Sequence, residues 1–489
     1  MRRALVAIAT VLFYCGLLGV SVHATFGDSA TRGANDEVAL GTTKGDPGGD
    51  AGTEQLGASG DASVGGVEPS VGDGGSSIGS AATPGGSRTT TTLRRSTSTT
   101  KPIVIGIHDD NTTGAGEAYG VKGLPTSQMP WVNEVVDWIN KNGGMGGRRL
   151  EVVAHVTENL NGSFDQQAQD ACTDFTEDHH VVAVVGGAKI PTLNLVDCLA
   201  KHKTPLVWDY HFMPDGPTLD RYGDYLYMPT MVRLERMGVW IDAIADRGFL
   251  KNTKIGLVRY DEPLSKRLTD QVIKPRLAAH GLQLTDEAAF SPATSAASSG
   301  DISAQSNSTI VRFRSQGIDR VLFAPTAGVM PLLFLTSAQR QGYHPRFSFT
   351  SYDIPAFQTE NNAPELAGSE VFGWLPAGDV AQPQQPPLNP TAKLCVTITH
   401  DATPPANGSI RRFCDGLMFL KSVFDHGAEP TPAGIRRVAD SFGSSWESPW
   451  TFKATLGPAR HDGASVGRVA AFDGGCSCFV YTGPDVPIP

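Results

Sequence analysis

At 489 residues the chain has room for about three domains of roughly 150 residues each. Its formal net charge of −10, with no block of lysines, excludes nucleic acid as a partner, because phosphate backbones are met by basic patches. Gly, Ser, Thr, Ala and Asp dominate residues 25–101, where almost no aromatic side chain occurs, so this stretch cannot bury enough apolar surface to offset its ordering entropy.

The amino terminus opens with Arg2-Arg3, an apolar run from Ala4 to Val22 and a small-residue site at Val22-His23-Ala24, which together read as an export signal. Three fates fit it: cleavage after Ala24, retention as a membrane anchor, or lipidation at Cys15, which bulky Phe13-Tyr14 disfavour. Residues 1–24 are therefore assigned to a signal peptide or anchor and 25–101 to a disordered linker. Residues 102–489 form the folded part. Its length suits two α/β lobes, an N-lobe at about 102–232 and a C-lobe at about 233–375, with the remaining chain returning between them.

Ile103 to Ile107 is an apolar run without polar alternation, as a strand covered on both faces requires. Trp131, Val135, Trp138 and Ile139 recur at helical spacing and stop at Asn142-Gly143-Gly144, a helix-ending sequence. Strands are expected at Leu150 to Val156, Val181 to Val185 and Pro205 to Trp208, with helices over Phe164 to Asp178 and Leu193 to Lys201 between them. Tyr222 to Thr230 reads as extended and Met231 to Arg247 as one helix. The alternation then restarts, with strands at Lys254 to Val258, Glu287 to Phe290, Arg320 to Ala324, Phe347 to Thr350 and Val371 to Trp374. Helices are expected at Leu264 to His280, Ser303 to Gln316 and Gly328 to Gln341. Further on, Ile410, Phe413, Cys414, Leu417, Leu420 and Phe424 stripe a helix, Thr431-Pro432 caps another, and Pro383 to Pro390 reads as a surface loop. Parallel strands joined by helices give a doubly wound α/β architecture in two lobes.

Seven cysteines are present, and the six beyond the export segment suit disulfides in an exported chain. Local proximity pairs Cys172 with Cys198 and Cys395 with Cys414. Cys476-Ser477-Cys478 fits a tight terminal disulfide; as a soft-metal pair it lacks other clustered ligands, and no resident metal or cofactor is expected.

Several motifs weaken on inspection. Gly114, Gly116 and Gly120 imitate a dinucleotide fingerprint, but Pro125 and Pro130 delay the helix that would receive a phosphate. Gly75-Ser76-Ser77-Ile78-Gly79 has the spacing of a hydrolase elbow without a strand before it or a helix after it. His108, His179, His180 and His211 show no metal-ligand spacing. With no nucleophile, base and orienting group converging in sequence, catalysis is not expected.

Ile105-Gly106-Ile107, the Gly114 to Gly120 loop, the run Trp138 to Leu150 and Val184-Val185-Gly186-Gly187 resemble the type I periplasmic binding proteins. The likeness is in particular to the branched-chain amino-acid (leucine/isoleucine/valine) receptors of ABC transporters. The resemblance implies two hinged lobes that trap a solute, an ABC permease as membrane partner and a monomeric, extracytoplasmic receptor, and the export signal with its long spacer suits tethering to the cell surface or membrane. Ligands of open α/β sheets bind outside the carboxyl ends of the strands. Those ends nominate Asp109, Asp110, Tyr119, Lys189, Trp208, Asp209, Tyr210, Tyr260, Asp261, Thr326, Tyr352 and Asp353. Ala188-Lys189-Ile190-Pro191 replaces the small hydroxyl residues with which amino-acid receptors hold a carboxylate, which argues against a simple branched-chain amino acid, and the aromatic and carboxylate groups at several strand ends suit a small polar solute, amino-acid-like or an amine. The alternative is a receptor-like sensor or cell-envelope interaction module with no transport role.

Overall fold

The computed structural model describes residues 101–111, 127–158, 162–186, 193–208, 213–292, 299–325, 329–400 and 407–489. The export signal and the 25–101 linker lie outside the described residues. A first sheet contains β1 (Ile103–Asn111), β2 (Leu150–Glu158), β3 (Ala183–Gly186), β4 (Leu206–Val207) and β5 (Leu226–Tyr227), all parallel, in the order β2-β1-β3-β4-β5. Ile103, Ile105 and Ile107 are buried against Val132, Val135 and Ile139 of the helix Met129–Lys141, so the sequence periodicities of 2 and 3.6 meet at one interface. That helix ends where expected. Gly143 and Gly144 take φ of 94° and 72°, and the Gly144 N–H reaches back to the Ile139 carbonyl at 2.8 Å, a turn that favours glycine.

A second sheet holds β6 (Ile255–Tyr260), β7 (Leu284–Phe290), β8 (Arg320–Phe323), β9 (Arg346–Thr350) and β10 (Glu370–Gly373) in parallel pairings. β11 (Val466–Asp473) and β12 (Cys478–Tyr481) extend it antiparallel beyond β10, and β13 (Val486–Pro487) pairs with β11. The sequence pattern did not announce this carboxyl-terminal hairpin. Between β10 and β11 the helices Pro390–Thr399, Asn407–Asp425 and Pro432–Ala439 pack into the core of the first sheet, where Phe413, Leu417 and Ile435 meet Ile105 and Ile107. The chain thus passes from the first sheet to the second after β5, back after β10 and across once more before β11.

Three expectations change in detail. Met231 to Arg247 is broken into a short 3₁₀ turn at Leu234–Arg236 and a helix at Gly238–Asp246. The cause is a crossing strand: the Ala464 N–H bonds the Met231 carbonyl and the Asp462 carboxylate accepts the Arg233 N–H, so residues 231–233 stay extended. Leu264 to His280 is helical throughout but carries a π-helical turn at Thr269–Ile273, which precedes Pro275 and absorbs its missing N–H. Pro390, expected in a loop, starts a helix whose N-cap, Asn389, accepts the Ala392 N–H at 2.7 Å.

The structure forms all three disulfides, Cys172–Cys198, Cys395–Cys414 and Cys476–Cys478. The first ties helix Phe164–Thr173 to helix Asn194–Lys201, and the second ties Pro390–Thr399 to Asn407–Asp425. The sulfurs of Cys172 and Cys198 lie close to His202, but they are consumed by the bond between them. No helix among the described residues is long and apolar enough to cross a membrane.

Candidate functional site

β1 ends in His108, Asp109 and Asp110, all buried. The Asp109 carboxylate accepts from the Asp110 N–H at 2.8 Å, the Ser127 hydroxyl at 2.7 Å and the Gln128 N–H at 2.6 Å. It therefore fastens the start of helix Met129–Lys141 to the strand end, which is a positioning task. The Asp110 carboxylate takes a hydrogen bond from Arg412, at 3.2 Å from Nη2, and both side chains are only 2% exposed. Arg412 comes from helix Asn407–Asp425, seated on the strand ends where Gly186 permits it: a Cβ there would stand 2.6 Å from the His108 carbonyl oxygen and 2.7 Å from the Phe413 ring. His108 shares a hydrogen bond with Thr157 at 2.9 Å across to β2. Burial, then the neighbouring His155, pushes its pKa down to about 3, so the ring is neutral near pH 7.

Trp208 follows β4 and is buried, its backbone N–H donating to the Tyr227 carbonyl at 2.8 Å. In the second sheet Tyr260 closes β6 half-buried, and Asp261 beyond it is 68% exposed beside Arg259. Glu262, next in the chain, is raised by burial above the usual carboxylate range and accepts from the Ser265 hydroxyl at 2.9 Å. After β9, Tyr352 is buried and donates its hydroxyl to the Val232 carbonyl at 2.8 Å, joining the second sheet to the crossing segment. The Asp353 carboxylate accepts from the Thr350 N–H at 2.9 Å and hydroxyl at 3.1 Å, a capping box. Tyr119, Lys189, Asp209, Tyr210 and Thr326 lie outside the described residues.

Asp109 with Asp110, Tyr260 with Asp261, and Tyr352 with Asp353 each share one strand end. The structure adds residues that sequence reasoning did not nominate. Arg411, beside Arg412, donates to Gln385 at 3.0 Å, and Asp415 one turn on accepts from the Ser448 hydroxyl at 2.6 Å. Trp374, after β10, donates its indole N–H to the Thr230 carbonyl at 3.1 Å. Asp379 accepts from the Leu375 N–H at 2.9 Å and the Tyr481 hydroxyl at 2.8 Å, and burial raises its pKa to about 7. Asp462, in the last crossing segment, pairs with Arg236 at 2.7 Å and is raised by its burial. An ion pair between Asp215, ahead of β5, and Arg267, in the helix after β6, joins segments attached to the two sheets. The sequence signal for the Arg412 site was a basic pair, Arg411-Arg412, set against the apolar stripe of its helix.

The strand ends thus combine buried carboxylates, arginines and tryptophans, and the crossing segments hold a second polar network. The hydrogen-bonded, neutral His108 is not placed to act as a base near neutral pH.

A sequence model of the periplasmic binding protein family matches residues 131–472. Among solved structures, a solute-binding protein from R. palustris in complex with 4-hydroxybenzoate is 13% identical with a TM-score of 0.61, and the match covers 80% of this chain and 98% of that one. A branched-chain amino-acid ABC transporter protein from Thermus thermophilus with bound valine is 15% identical with a TM-score of 0.59, over 79% and 96% of the two chains. LivJ from Streptococcus pneumoniae, in complex with isoleucine, is 15% identical with a TM-score of 0.58, over 78% and 100%. At these identities the likeness is one of fold. A search of curated proteins found no match. The family model spans strands of both sheets and the crossings between them, and the chain belongs to the periplasmic binding protein family.

Proposed function

We propose that the chain is an extracytoplasmic receptor that traps a small polar solute between two closing lobes and hands it to an ABC permease. The observation that carries this reading is the family match across residues 131–472, which takes in strands of both sheets and the segments that cross between them. Two-lobed receptors close by bending a few residues at such crossings. The crossings are tied to one another: Met228 bridges to Asp462, and Asp462 holds Arg233 and Arg236 of the opposing segment.

The proposed solute class rests on two considerations. The relatives bind branched-chain amino acids or 4-hydroxybenzoate, ligands that carry a carboxylate. Ala188-Lys189-Ile190-Pro191 stands in place of small hydroxyl residues, while Tyr260 and Asp261 put a half-buried ring and an exposed carboxylate at the end of β6. A polar amino-acid-like or amine solute suits that mixture. The receptor is monomeric and tethered at its amino terminus, and the 25–101 segment acts as its spacer.

The test is a thermal-shift screen of the full chain against amino acids, aromatic carboxylates, amides, amines and polyols, followed by calorimetry on each hit. One chemical class is expected to raise the melting temperature in a saturable way. If no solute does so while the protein is folded and monomeric, the receptor reading fails, and the fold serves an envelope interaction instead.

A further inference from the structure

The three disulfides differ in kind. Cys172, Cys198, Cys395 and Cys414 are buried and join separate helices. Cys476 and Cys478 are two residues apart, in the turn that connects β11 to β12. Cys476 is exposed, as are Gly474, Gly475 and Ser477 around it, whereas Cys478 is buried at the start of β12. The Cys476 sulfur lies 3.7 Å from the carbonyl oxygens of Asp473 and Cys478, in the open mouth of the turn.

From these facts we propose that Cys476–Cys478 is a thiol–disulfide exchange site, an accessible oxidant of dithiols on the edge of the second sheet. Two physical reasons carry it, and neither depends on the solute-receptor reading. A ring closed across one intervening residue removes little entropy from the unfolded chain, so closing this bond is favoured far less than closing either of the others. The ring also holds Ser477 at φ 53°, in the left-handed region that side-chain-bearing residues avoid, and opening the bond frees that residue. The strands beside the turn are held by the β11–β12 ladder, Phe472 opposite Phe479 and Asp473 opposite Cys478, so the reduced turn keeps its anchorage. Exposed disulfides destabilised in this way are the labile ones.

The chemistry balances with a dithiol as co-reactant. Its thiolate attacks the Cys476 sulfur, the Cys476–Cys478 bond breaks, and the electron pair leaves on the Cys478 sulfur, which takes up a proton. The second thiol of the partner then attacks the sulfur bound to Cys476, forming the partner's own disulfide and releasing Cys476 as a thiolate. Two electrons pass from the dithiol to the protein.

The full chain is equilibrated in buffers of graded reduced-to-oxidised dithiothreitol, acid-quenched, alkylated, and mapped by peptide mass spectrometry. The Cys476–Cys478 pair is expected to be half reduced at a ratio at least about tenfold lower than either buried pair. A smaller separation, or reduction of all three pairs together, overturns the proposal. A second arm uses reduced glutathione as a monothiol. A mixed disulfide on Cys476 supports the assignment of the attacked sulfur, whereas an adduct on Cys478 or on the buried cysteines counts against it. The C476S/C478S double variant keeps the buried pairs' titration unchanged and lowers the melting temperature by no more than about 3 °C if the turn is anchored as described; a larger fall, or a shifted titration of the buried pairs, would show the bond to be structural and sink the proposal.

Discussion

Arg412 and Asp110 stand 302 residues apart in sequence and form an ion pair of 3.2 Å in which both side chains are 2% exposed. The pair binds helix Asn407–Asp425, from late in the chain, to the end of the first strand. Removing one member takes a buried ion-pair contact from the other, a loss that typically costs about 3–5 kcal/mol. Asp110→Asn or Arg412→Met should therefore lower the urea midpoint sharply, and the double variant should recover part of the loss. A single variant with an unchanged midpoint would show that the pair contributes nothing net.

His108 sets part of the acid limb of stability. Burial holds its folded-state pKa at about 3 against the ordinary histidine value of 6.5, so between those pH values the unfolded chain binds the proton that the folded chain refuses. Stability contributed by keeping the ring neutral is present above pH 6.5 and falls as pH drops towards 3, by up to about 5 kcal/mol. A His108→Gln variant should show a flatter loss of melting temperature between pH 6.5 and 4 than the parent. Parallel curves for the two proteins would contradict the assignment.

Asp379 acts in the opposite sense. Its pKa is raised by burial to about 7 from 3.8, so the folded state binds a proton that the unfolded state has released. Its effect is to lower stability as pH rises from 3.8 through 7. Asp379→Asn, which keeps an acceptor for the Tyr481 hydroxyl or the Leu375 N–H, should gain on the parent as pH rises, with the gap widening between pH 5 and 8. Chemical denaturation at pH 5 and pH 8 measures it; a gap that narrows with pH would refute the sign.

The disulfides should differ in their contribution to stability. Cys172–Cys198 and Cys395–Cys414 span separations of 26 and 19 residues, for which loop-closure entropy gives roughly 3 kcal/mol each. Cys476–Cys478 spans 2, and its removal should cost less than about 1.5 kcal/mol. Paired Cys→Ala variants compared by guanidinium denaturation give the order directly.

Much of the fold was legible because its signals are local. The buried run at Ile103, the stripe of Val132, Val135 and Ile139, and the cap at Thr431, which accepts the Gly434 N–H at 3.1 Å, each depend on neighbours within a few residues. The short separations of Cys172–Cys198 and Cys395–Cys414 made their pairing legible for the same reason. At the strand ends the position of Asp109, Asp110, Tyr352 and Asp353 could be read, but not their engagements: Asp109 caps a helix, Asp353 its own turn, and Tyr352 reaches Val232.

By itself, then, the sequence determined two parallel α/β sheets, their helices and the local disulfides, since periodicity of 2 or 3.6 and turn chemistry are written in adjacent residues. Tertiary structure alone decided that Arg412 would meet Asp110, that Asp462 would hold residues 231–233 out of the helix their pattern suggested, and that β11 and β12 would join the second sheet antiparallel. Those contacts join segments up to hundreds of residues apart. Only the repeated crossing of the chain between the two sheets brings them within hydrogen-bond distance, and no local pattern encodes which distant partner will arrive.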